Sequence, residues 1–296
     1  MHKFLRAAGF SMYQKNKDIR ALLRCLSKDA AQSKCIQIDR DTSLYEVKAE
    51  VAPGIGIAMY GELDEKEELD VDYYFPYLTS TDITSSADCS IQRHAEKETY
   101  AGLLDEYRVG ISLIFYLLNS MEYREHFQKY GNRLTLESAC LSGLAVHGKV
   151  LLPIKKTAMQ IEKAKVASRN RDNLLEAAKN GDEDAMESLT IEDIDLYSQA
   201  SRRVMKEDIY SIVDTCFMPS GIECDQYSVL GEIKEVLLKK NRITGEEIYD
   251  LKLECNDLTF RVGINKMDLL GEPQPGRRFK GKIWMMGSVN FAEKTY

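Results

Sequence analysis

The sequence lacks several patterns that would assign a chemistry directly. Its seven cysteines include no Cys-x-x-Cys pair, and no Gly-x-Ser-x-Gly element occurs. The first absence argues against a zinc ribbon or a dithiol redox centre, and the second against a serine hydrolase elbow. An odd number of scattered cysteines also favours reduced thiols over a disulfide framework. We therefore predict neither structural zinc nor simple nucleophilic catalysis.

Long apolar runs and a leader pattern are missing as well. The longest apolar stretch, residues 109–118, is about half the length that a bilayer requires. Near the start, Lys3 and Arg6 enclose only two apolar residues, so an apolar leader core cannot form there. Together with the reduced thiols, these features predict a cytoplasmic protein without a membrane segment.

The charge balance is acidic. Lys and Arg number 40 and Asp and Glu number 47, so the formal net charge is −7. Because such a chain repels phosphate backbones on average, nucleic acid is not the expected partner. The 44% hydrophobic and 29% charged contents are typical of a globular protein, and 296 residues suffice for more than one core.

The pattern along the chain predicts an α+β fold in three parts. Residues 1–155 show several alternating segments and an amphipathic helix at residues 17–28, which indicates an antiparallel sheet with helices. Residues 156–218 read as a helical connecting region. Residues 219–296 read as a small antiparallel β-barrel of OB-like or SH3-like type, since a few short strands need closed edges.

Several local predictions can be checked against the structure. Residues 95–119 carry apolar side chains at helical spacing, and residues 141–154 read as a hairpin turning at His147-Gly148. A further helix is predicted from residue 191 to about 205, because Thr190 to Asp193 resembles a capping box. Its apolar side chains Ile194, Tyr197 and Val204 are expected to face inward.

The clearest local pattern is near the C-terminus. Apolar residues alternate from Tyr249 to Cys255 and again from Leu258 to Ile264, with Asn256-Asp257 between the two runs. Successive side chains of a strand point to opposite faces, and Asn and Asp tolerate the left-handed turn conformation. This pattern predicts a β-hairpin with one buried face.

A basic segment beside the single tryptophan is the leading candidate binding site. It consists of Arg277, Arg278, Lys280, Lys282 and Trp284. Cations next to an aromatic platform bind phosphates and stack flat groups, as OB-type barrels do. The alternatives are that the cations dock the acidic stretch at residues 62–72 and that the tryptophan packs against the helical segment.

Two secondary candidates come from the N-terminal half. Tyr74, Tyr77 and Asp82 belong to an aromatic cluster and the polar loop that follows it, a composition found in small-molecule pockets. His94 and Glu98 are one helical turn apart and form a weak metal or proton-relay pattern. A plain strand with a solvated loop, and a charged helix face, account for the same residues, so no metal or cofactor is predicted.

Four stretches resemble a known group of proteins. They are residues 1–10, 211–219, 224–232 and 276–284. In these stretches the chain resembles a family of uncharacterised proteins from clostridial-type bacteria, and the similarity extends over the whole chain. The resemblance implies a bacterial cytoplasmic protein and carries no activity or cofactor.

These observations give two functional hypotheses. The first is a binding or scaffolding protein that recognises a protein partner or a small polar ligand through its C-terminal barrel. The alternative is an enzyme that acts on a small polar metabolite at the interdomain cleft, using the aromatic segment and His94 with Glu98.

Overall fold

The computed structural model describes residues 3–29, 32–37, 43–65, 67–93, 99–154, 157–222 and 224–292. Its helices, with η for the 3-10 type, are η1 (Lys3–Ala8), α1 (Asn16–Asp29), η2 (Tyr107–Val109), α2 (Ser120–Tyr130), η3 (Gly131–Arg133), α3 (Ala158–Lys179), α4 (Glu183–Val204), α5 (Ile209–Ile212) and η4 (Lys266–Asp268). Its strands are β1 (Gln32–Gln37), β2 (Ser43–Ala52), β3 (Ile55–Leu63), β4 (Leu69–Leu78), β5 (Cys89–Arg93), β6 (Tyr100–Glu106), β7 (Ile111–Leu117), β8 (Leu136–Leu151), β9 (Cys216–Pro219), β10 (Gln226–Lys240), β11 (Glu247–Cys255), β12 (Leu258–Asn265), β13 (Leu269–Leu270) and β14 (Arg278–Phe291).

The first four strands form an antiparallel meander, which we call sheet A. Its order is β1-β2-β3-β4. Pro53-Gly54 makes the turn between β2 and β3, and Gly54 takes the left-handed φ of 71° that glycine allows without strain. Helix α1 buries Ile19 and Leu23 in the core that sheet A shares. The helix and strands predicted from periodicity in this region are confirmed.

The remaining strands belong to one ten-stranded sheet, and five of them pair in a closed circuit. Strand β8 pairs in parallel with β12, and antiparallel ladders continue from β12 through β11 and β10 to β14. Strand β14 then pairs antiparallel with β8, which completes the five-strand ring. Strands β7, β6 and β5 extend the sheet beyond β14.

Strand β10 is long enough to serve two neighbours in the ring. Residues 226–232 pair with β14, and residues 232–240 pair with β11. A register shift lies between Ile233 and Glu235, where the strand changes partner. An irregularity of this kind increases local twist, which bends one strand between two sides of a strongly curved sheet.

Two apolar cores lie on either side of β14. Ile283 and Met285 pack with the inward side chains of the ring, whereas Trp284 and Met286 pack with sheet A, η1 and α1. These residues therefore alternate between the two faces of the strand, as a pleated strand requires. Since both faces of the strand are buried, the ring and sheet A are held against each other.

The C-terminal hairpin is confirmed in register and turn. Leu253 pairs with Phe260, and Cys255 with Leu258. Asn256 and Asp257 both have positive φ, at 51° and 59°, as the tight turn of a two-residue hairpin requires.

Two local predictions for the strand regions are wrong. In the described part of residues 95–119 there is no long helix: β6 and β7 form a hairpin joined by η2. Residues 141–154 do not reverse at Gly148, because β8 continues to Leu151 along β14 with a register shift between Ala145 and Gly148. In both regions the conformation depends on pairing with strands that are distant in sequence, and the spacing of apolar residues carries no information about that pairing.

The helical middle differs from its prediction in detail. Helix α4 is N-capped by Asp182, whose side chain accepts a 3.0 Å hydrogen bond from the Ala185 amide, and it runs through Thr190 without a break. The predicted start at the Thr190 capping box is therefore wrong. Ile194, Tyr197 and Val204 are exposed rather than inward-facing.

A mixed helix-and-sheet fold with an antiparallel N-terminal sheet is confirmed. The five-strand ring takes β8 from residues 136–151 and its other strands from residues 226–291. The division of the chain near residues 155 and 219 stays a prediction.

Candidate functional site

Arg278, the centre of the predicted basic segment, is buried and used inside the protein. It is 5% exposed, and its guanidinium donates to the carbonyl oxygens of Leu152 at 3.0 Å, Val213 at 2.8 Å and Tyr210 at 2.7 Å. Burial lowers the pKa of this guanidinium. The side chain thereby joins the end of β14 to the segments that precede α3 and follow α5.

The other cations of the segment do not converge on one site. Lys280 contacts the Tyr210 hydroxyl and lies over its ring at 4.2 Å. Arg277 donates to the Glu272 carbonyl oxygen at 2.7 Å, and Lys282 is exposed. Arg278 and Lys280 are thus occupied by contacts within the protein. Arg277 and Lys282 remain accessible to solvent, and no aromatic ring is described beside either cation.

Trp284 is 5% exposed and packs among aromatic rings. Its ring stacks on Phe4 at 5.4 Å and meets Phe75 edge-on at 6.2 Å. The indole Nε1 donates to Asp225 Oδ2 at 2.6 Å. The ring is therefore a core anchor between sheet A and β14, and its ring partners Phe4 and Phe75 lie in η1 and β4 rather than in the predicted helical segment.

The secondary candidates lie apart from one another. Tyr77 is 5% exposed, and burial raises the pKa of its hydroxyl. Asp82 pairs with Lys252 at 3.0 Å on the outer side of β11. Tyr74 lines a groove, described next. His94 and Glu98 fall outside the described residues.

The groove lies between α1 and β4 and is open to solvent. Its volume is about 720 Å³, within the range of binding pockets. The lining comes from these two elements and comprises Asn16, Ile19, Arg20, Leu23, Arg24, Leu69, Asp70, Val71, Asp72, Tyr73 and Tyr74. Tyr74 is the one residue that the sequence placed at this site.

Helix α1 supplies a cationic wall. Ile19, Leu22, Leu23 and Leu26 recur at helical spacing and are nearly fully buried against the core of sheet A. Arg20 and Arg24 are one turn apart, so they project from the same flank of the helix and remain exposed. The apolar stripe fixes the helix, and the two guanidinium groups overhang the groove.

Strand β4 supplies an acidic wall and a sheet edge. It is the last strand of sheet A, and no strand in the described part of the chain pairs with its outer side. Asp70 and Asp72 are exposed. The register with β3 shifts next to Asp72, and Pro76 sits farther along, as expected of an edge strand because proline cannot donate to a ladder.

The floor of the groove leads to a buried polar group. Tyr73 stacks on Tyr60 at 4.7 Å with an interplanar angle of 6°. The Tyr60 hydroxyl donates to Glu46, a carboxylate that is 4% exposed and lies 3.3 Å from Lys48 Nζ. Burial and the neighbouring Glu46 charge raise the pKa of Tyr60. The tyrosine pair therefore has little freedom to move, which keeps the floor rigid.

One end of the groove is fixed by an ion pair. Lys28 Nζ at the end of α1 lies 2.8 Å from Glu68 Oε1, just before β4. The ammonium group lowers the pKa of Glu68. Both side chains are largely exposed, so the pair orients the helix end more than it stabilises the fold.

The described residues also bear on metal binding, membrane spans and disulfide bonds. Among them, no three His, Cys, Asp or Glu side chains lie close enough together to hold a metal ion. None of the helices in the described ranges has the length and apolar character to cross a membrane. All seven cysteines lie in the described ranges, and none of them forms a disulfide.

The residues that sequence reasoning missed are Arg20, Arg24, Asp70 and Asp72. The pattern did contain a partial indication, because two arginines one turn apart flank the apolar stripe of α1. Their acidic counterparts lie some fifty residues later, within a stretch that the sequence showed only as negatively charged. Nothing in the spacing indicates that the two segments meet.

Fold and groove together define a mixed α and β protein with a ligand-sized groove at a sheet edge. A family model described as a domain of unknown function from E. rectale (DUF3881) matches residues 5–287, and the chain belongs to that family. This match confirms the resemblance to uncharacterised clostridial-type proteins. Comparisons with curated proteins and with solved structures give no match.

Proposed function

We propose that this chain is a binding protein that takes up an extended peptide segment in the groove between α1 and β4. The observation that carries the proposal is the position of β4 at the edge of sheet A, directly beside an amphipathic helix. An extended peptide that adds to a sheet edge gains main-chain hydrogen bonds, and a neighbouring helix supplies side-chain contacts. Residues 69–74 give room for about six added residues, roughly 20 Å of strand.

The charges of the groove favour a peptide over a simple anion or cation. Arg20 and Arg24 line one wall, and Asp70 and Asp72 line the other. A ligand that carries a single kind of charge is attracted by one wall and repelled by the opposite one. A peptide with an acidic side chain towards α1 and a basic one towards β4 satisfies both walls.

We also propose that the five-strand ring is a small closed barrel that supports the groove. Its ladders correspond to OB-type connectivity with one change: β10, β11, β12 and β14 take the first four places, and β8, earlier in the chain, takes the fifth. The parallel pairing of β8 with β12 supports this reading, because an OB barrel closes through one parallel pair. The barrel is thus the scaffold, and recognition lies in the groove rather than in the basic segment.

A cytoplasmic location remains part of the proposal. That none of the seven cysteines forms a disulfide supports a reducing compartment. The alternative, an enzyme that acts on a small polar metabolite, stays a prediction.

The test is to pan the immobilised full-length chain against a phage library of random peptides long enough to span the groove. We expect enrichment of sequences that carry both charge signs. Arg20→Glu/Arg24→Glu should reverse the preference for acidic residues at the α1 side. The matched control is Lys15→Glu/Lys17→Glu, which makes the same net-charge change on exposed residues outside the groove.

The control variant should select the same peptides as the unaltered chain. Absence of enrichment over an empty surface, or peptides that bind the Arg20/Arg24 variant with unchanged preference, would contradict the proposal.

A further inference from the structure

Helix α1 and strand β4 run in opposite directions along the groove. Lys28 at the end of α1 pairs at 2.8 Å with Glu68, which directly precedes β4. From that pair, Arg24 and Arg20 lie about 6 Å and about 12 Å back along the helix, because each helical residue adds about 1.5 Å. Each strand residue adds about 3.3 Å, so the same distances along β4 lead to residues 70–72. The two arginines therefore stand beside the first half of β4.

The side chains in this part of β4 alternate between two faces. Leu69 and Val71 are half-buried against the core that includes α1, whereas Asp70 between them is exposed. A side chain of an added strand lies on the same face as the β4 side chain directly opposite it. Peptide residues opposite Leu69 and Val71 therefore face α1, and the peptide residue between them lies beside Asp70. The register with β3 shifts next to Asp72, so the regular alternation covers residues 69–71.

The two arginines match the spacing of alternate residues in a strand. Arg20 and Arg24 are separated by about 6 Å along the helix axis. Successive side chains on one face of a strand are about 6.7 Å apart. Both guanidinium groups line the groove, and neither forms an ion pair with another residue in the described part of the chain. Two acidic side chains that are two positions apart in a bound peptide can thus reach one arginine each.

We propose that the groove recognises peptides with an acidic–basic–acidic core, in which two Asp or Glu residues flank one Lys or Arg. This specificity rests on the proposed uptake of an extended peptide between α1 and β4. The acidic residues pair with Arg20 and Arg24, and the basic residue between them pairs across the strands with Asp70. The core reads the same in both directions, so the charges match for a parallel and for an antiparallel added strand.

A peptide with the same residues in another order provides the comparison. Thr-Glu-Lys-Glu-Thr makes all three contacts, whereas Glu-Glu-Thr-Thr-Lys makes no more than one net favourable contact in any register or direction. An exposed ion pair changes an affinity by about threefold, so the first peptide should bind about tenfold more tightly. At about 1 M ionic strength the Debye length is about 3 Å, and the difference should fall below about twofold.

The test measures binding of both sequences, each within the same end-blocked fluorescent carrier peptide, to the full-length chain by fluorescence anisotropy. Arg20→Gln and Arg24→Gln should each weaken binding of Thr-Glu-Lys-Glu-Thr by about threefold. Asp70→Lys should reverse the central preference, so that Thr-Glu-Glu-Glu-Thr binds this variant more tightly than Thr-Glu-Lys-Glu-Thr does. The matched control is Lys15→Gln, which removes the same charge from an exposed residue outside the groove and should leave both affinities unchanged.

The failure of this charge order is distinguishable from the failure of the groove as a peptide site. Equal affinities of the two peptides, or a preference that the Asp70 and arginine variants do not change, would overturn the acidic–basic–acidic core. If panning still selects peptides that slow exchange in residues 69–74, the groove remains a peptide site with another specificity. If panning selects no peptide and neither sequence binds, both proposals are overturned.

Discussion

Replacement of Arg278 by methionine tests whether this residue is structural or a ligand-binding cation. The guanidinium donates to three carbonyl oxygens within 3.0 Å, those of Leu152, Val213 and Tyr210, and makes a longer 3.5 Å contact with that of Asp214. A hydrogen bond within a protein contributes about 1 kcal/mol net, so the loss of three partners corresponds to about 3 kcal/mol. Methionine keeps much of the side-chain volume, and the change therefore reports mainly the lost donors.

The assay is urea unfolding followed by tryptophan fluorescence, together with hydrogen exchange of residues 209–215. We expect the free energy of unfolding to fall by about 3 kcal/mol for Arg278→Met. Arg278→Lys should have a free energy of unfolding between those of the unaltered chain and Arg278→Met, because an ammonium group cannot reproduce the planar fork of donors. If the substitution destabilises only this region, residues 209–215 should exchange faster even when the global free energy of unfolding changes little.

The neighbouring residue gives a control. Arg277 donates to a single carbonyl in an exposed loop, so Arg277→Met should change stability by less than about 0.5 kcal/mol. Unchanged stability and unchanged exchange in Arg278→Met would refute the structural role. Such a result would favour the predicted role of Arg278 as a ligand-binding cation of the basic segment.

Three further perturbations have defined outcomes. Gly61→Ala should lower the unfolding free energy by about 2 kcal/mol or more in urea melts, because an added Cβ would lie 1.8 Å from the Asp70 carbonyl oxygen. Burial alone raises the pKa of Glu106, but hydrogen bonds from Arg108 and Ser85 leave that pKa below its usual 4.5. Glu106→Gln should therefore reduce stability at neutral pH, and its difference from the unaltered chain should vanish as the pH falls through the lowered pKa. Iodoacetamide with mass spectrometry should modify exposed Cys25 but not Cys255, since burial raises the pKa of the Cys255 thiol to about 12.

Each of these outcomes can fail in a recognisable way. A Gly61→Ala protein as stable as the unaltered chain would mean that β3 and β4 do not approach as closely as described. A constant stability difference down to strongly acid pH would show that the charge of Glu106 is not responsible. Modification of Cys255 at the same rate as Cys25 would contradict its burial.

Local patterns predicted the parts of the fold that depend on neighbours in sequence. The hairpin of β11 and β12 follows from alternation and from a turn pair that tolerates positive φ. Helix α1 follows from its apolar stripe. In contrast, β6 and β7 were misread as a helix, because apolar side chains at Leu104, Ile111 and Ile114 also fit helical spacing. Their strand conformation is decided by ladders to each other and to β14, which no local window contains.

The candidate site was less predictable than the fold. Tyr74 was recognised from composition, whereas the opposing wall at Arg20 and Arg24 lies about fifty residues away and meets it only after folding. For Trp284, in contrast, the sequence pattern predicts a binding site that the structure does not form. Its position beside cations suggested an exposed platform, yet β14 is covered on both faces, and the ring is enclosed by Phe4 and Phe75. Burial on a second face is a tertiary property, so strand periodicity could not reveal it.

The most direct test of the central claim is hydrogen–deuterium exchange of the full-length chain with and without a peptide selected by panning. Strand addition predicts slower exchange in residues 69–74 of β4, the edge beside α1. The opposite edge of the same sheet, residues 32–37 of β1, should exchange at an unchanged rate and serves as the internal control. Protection of neither edge, or of β1 instead of β4, would contradict the account.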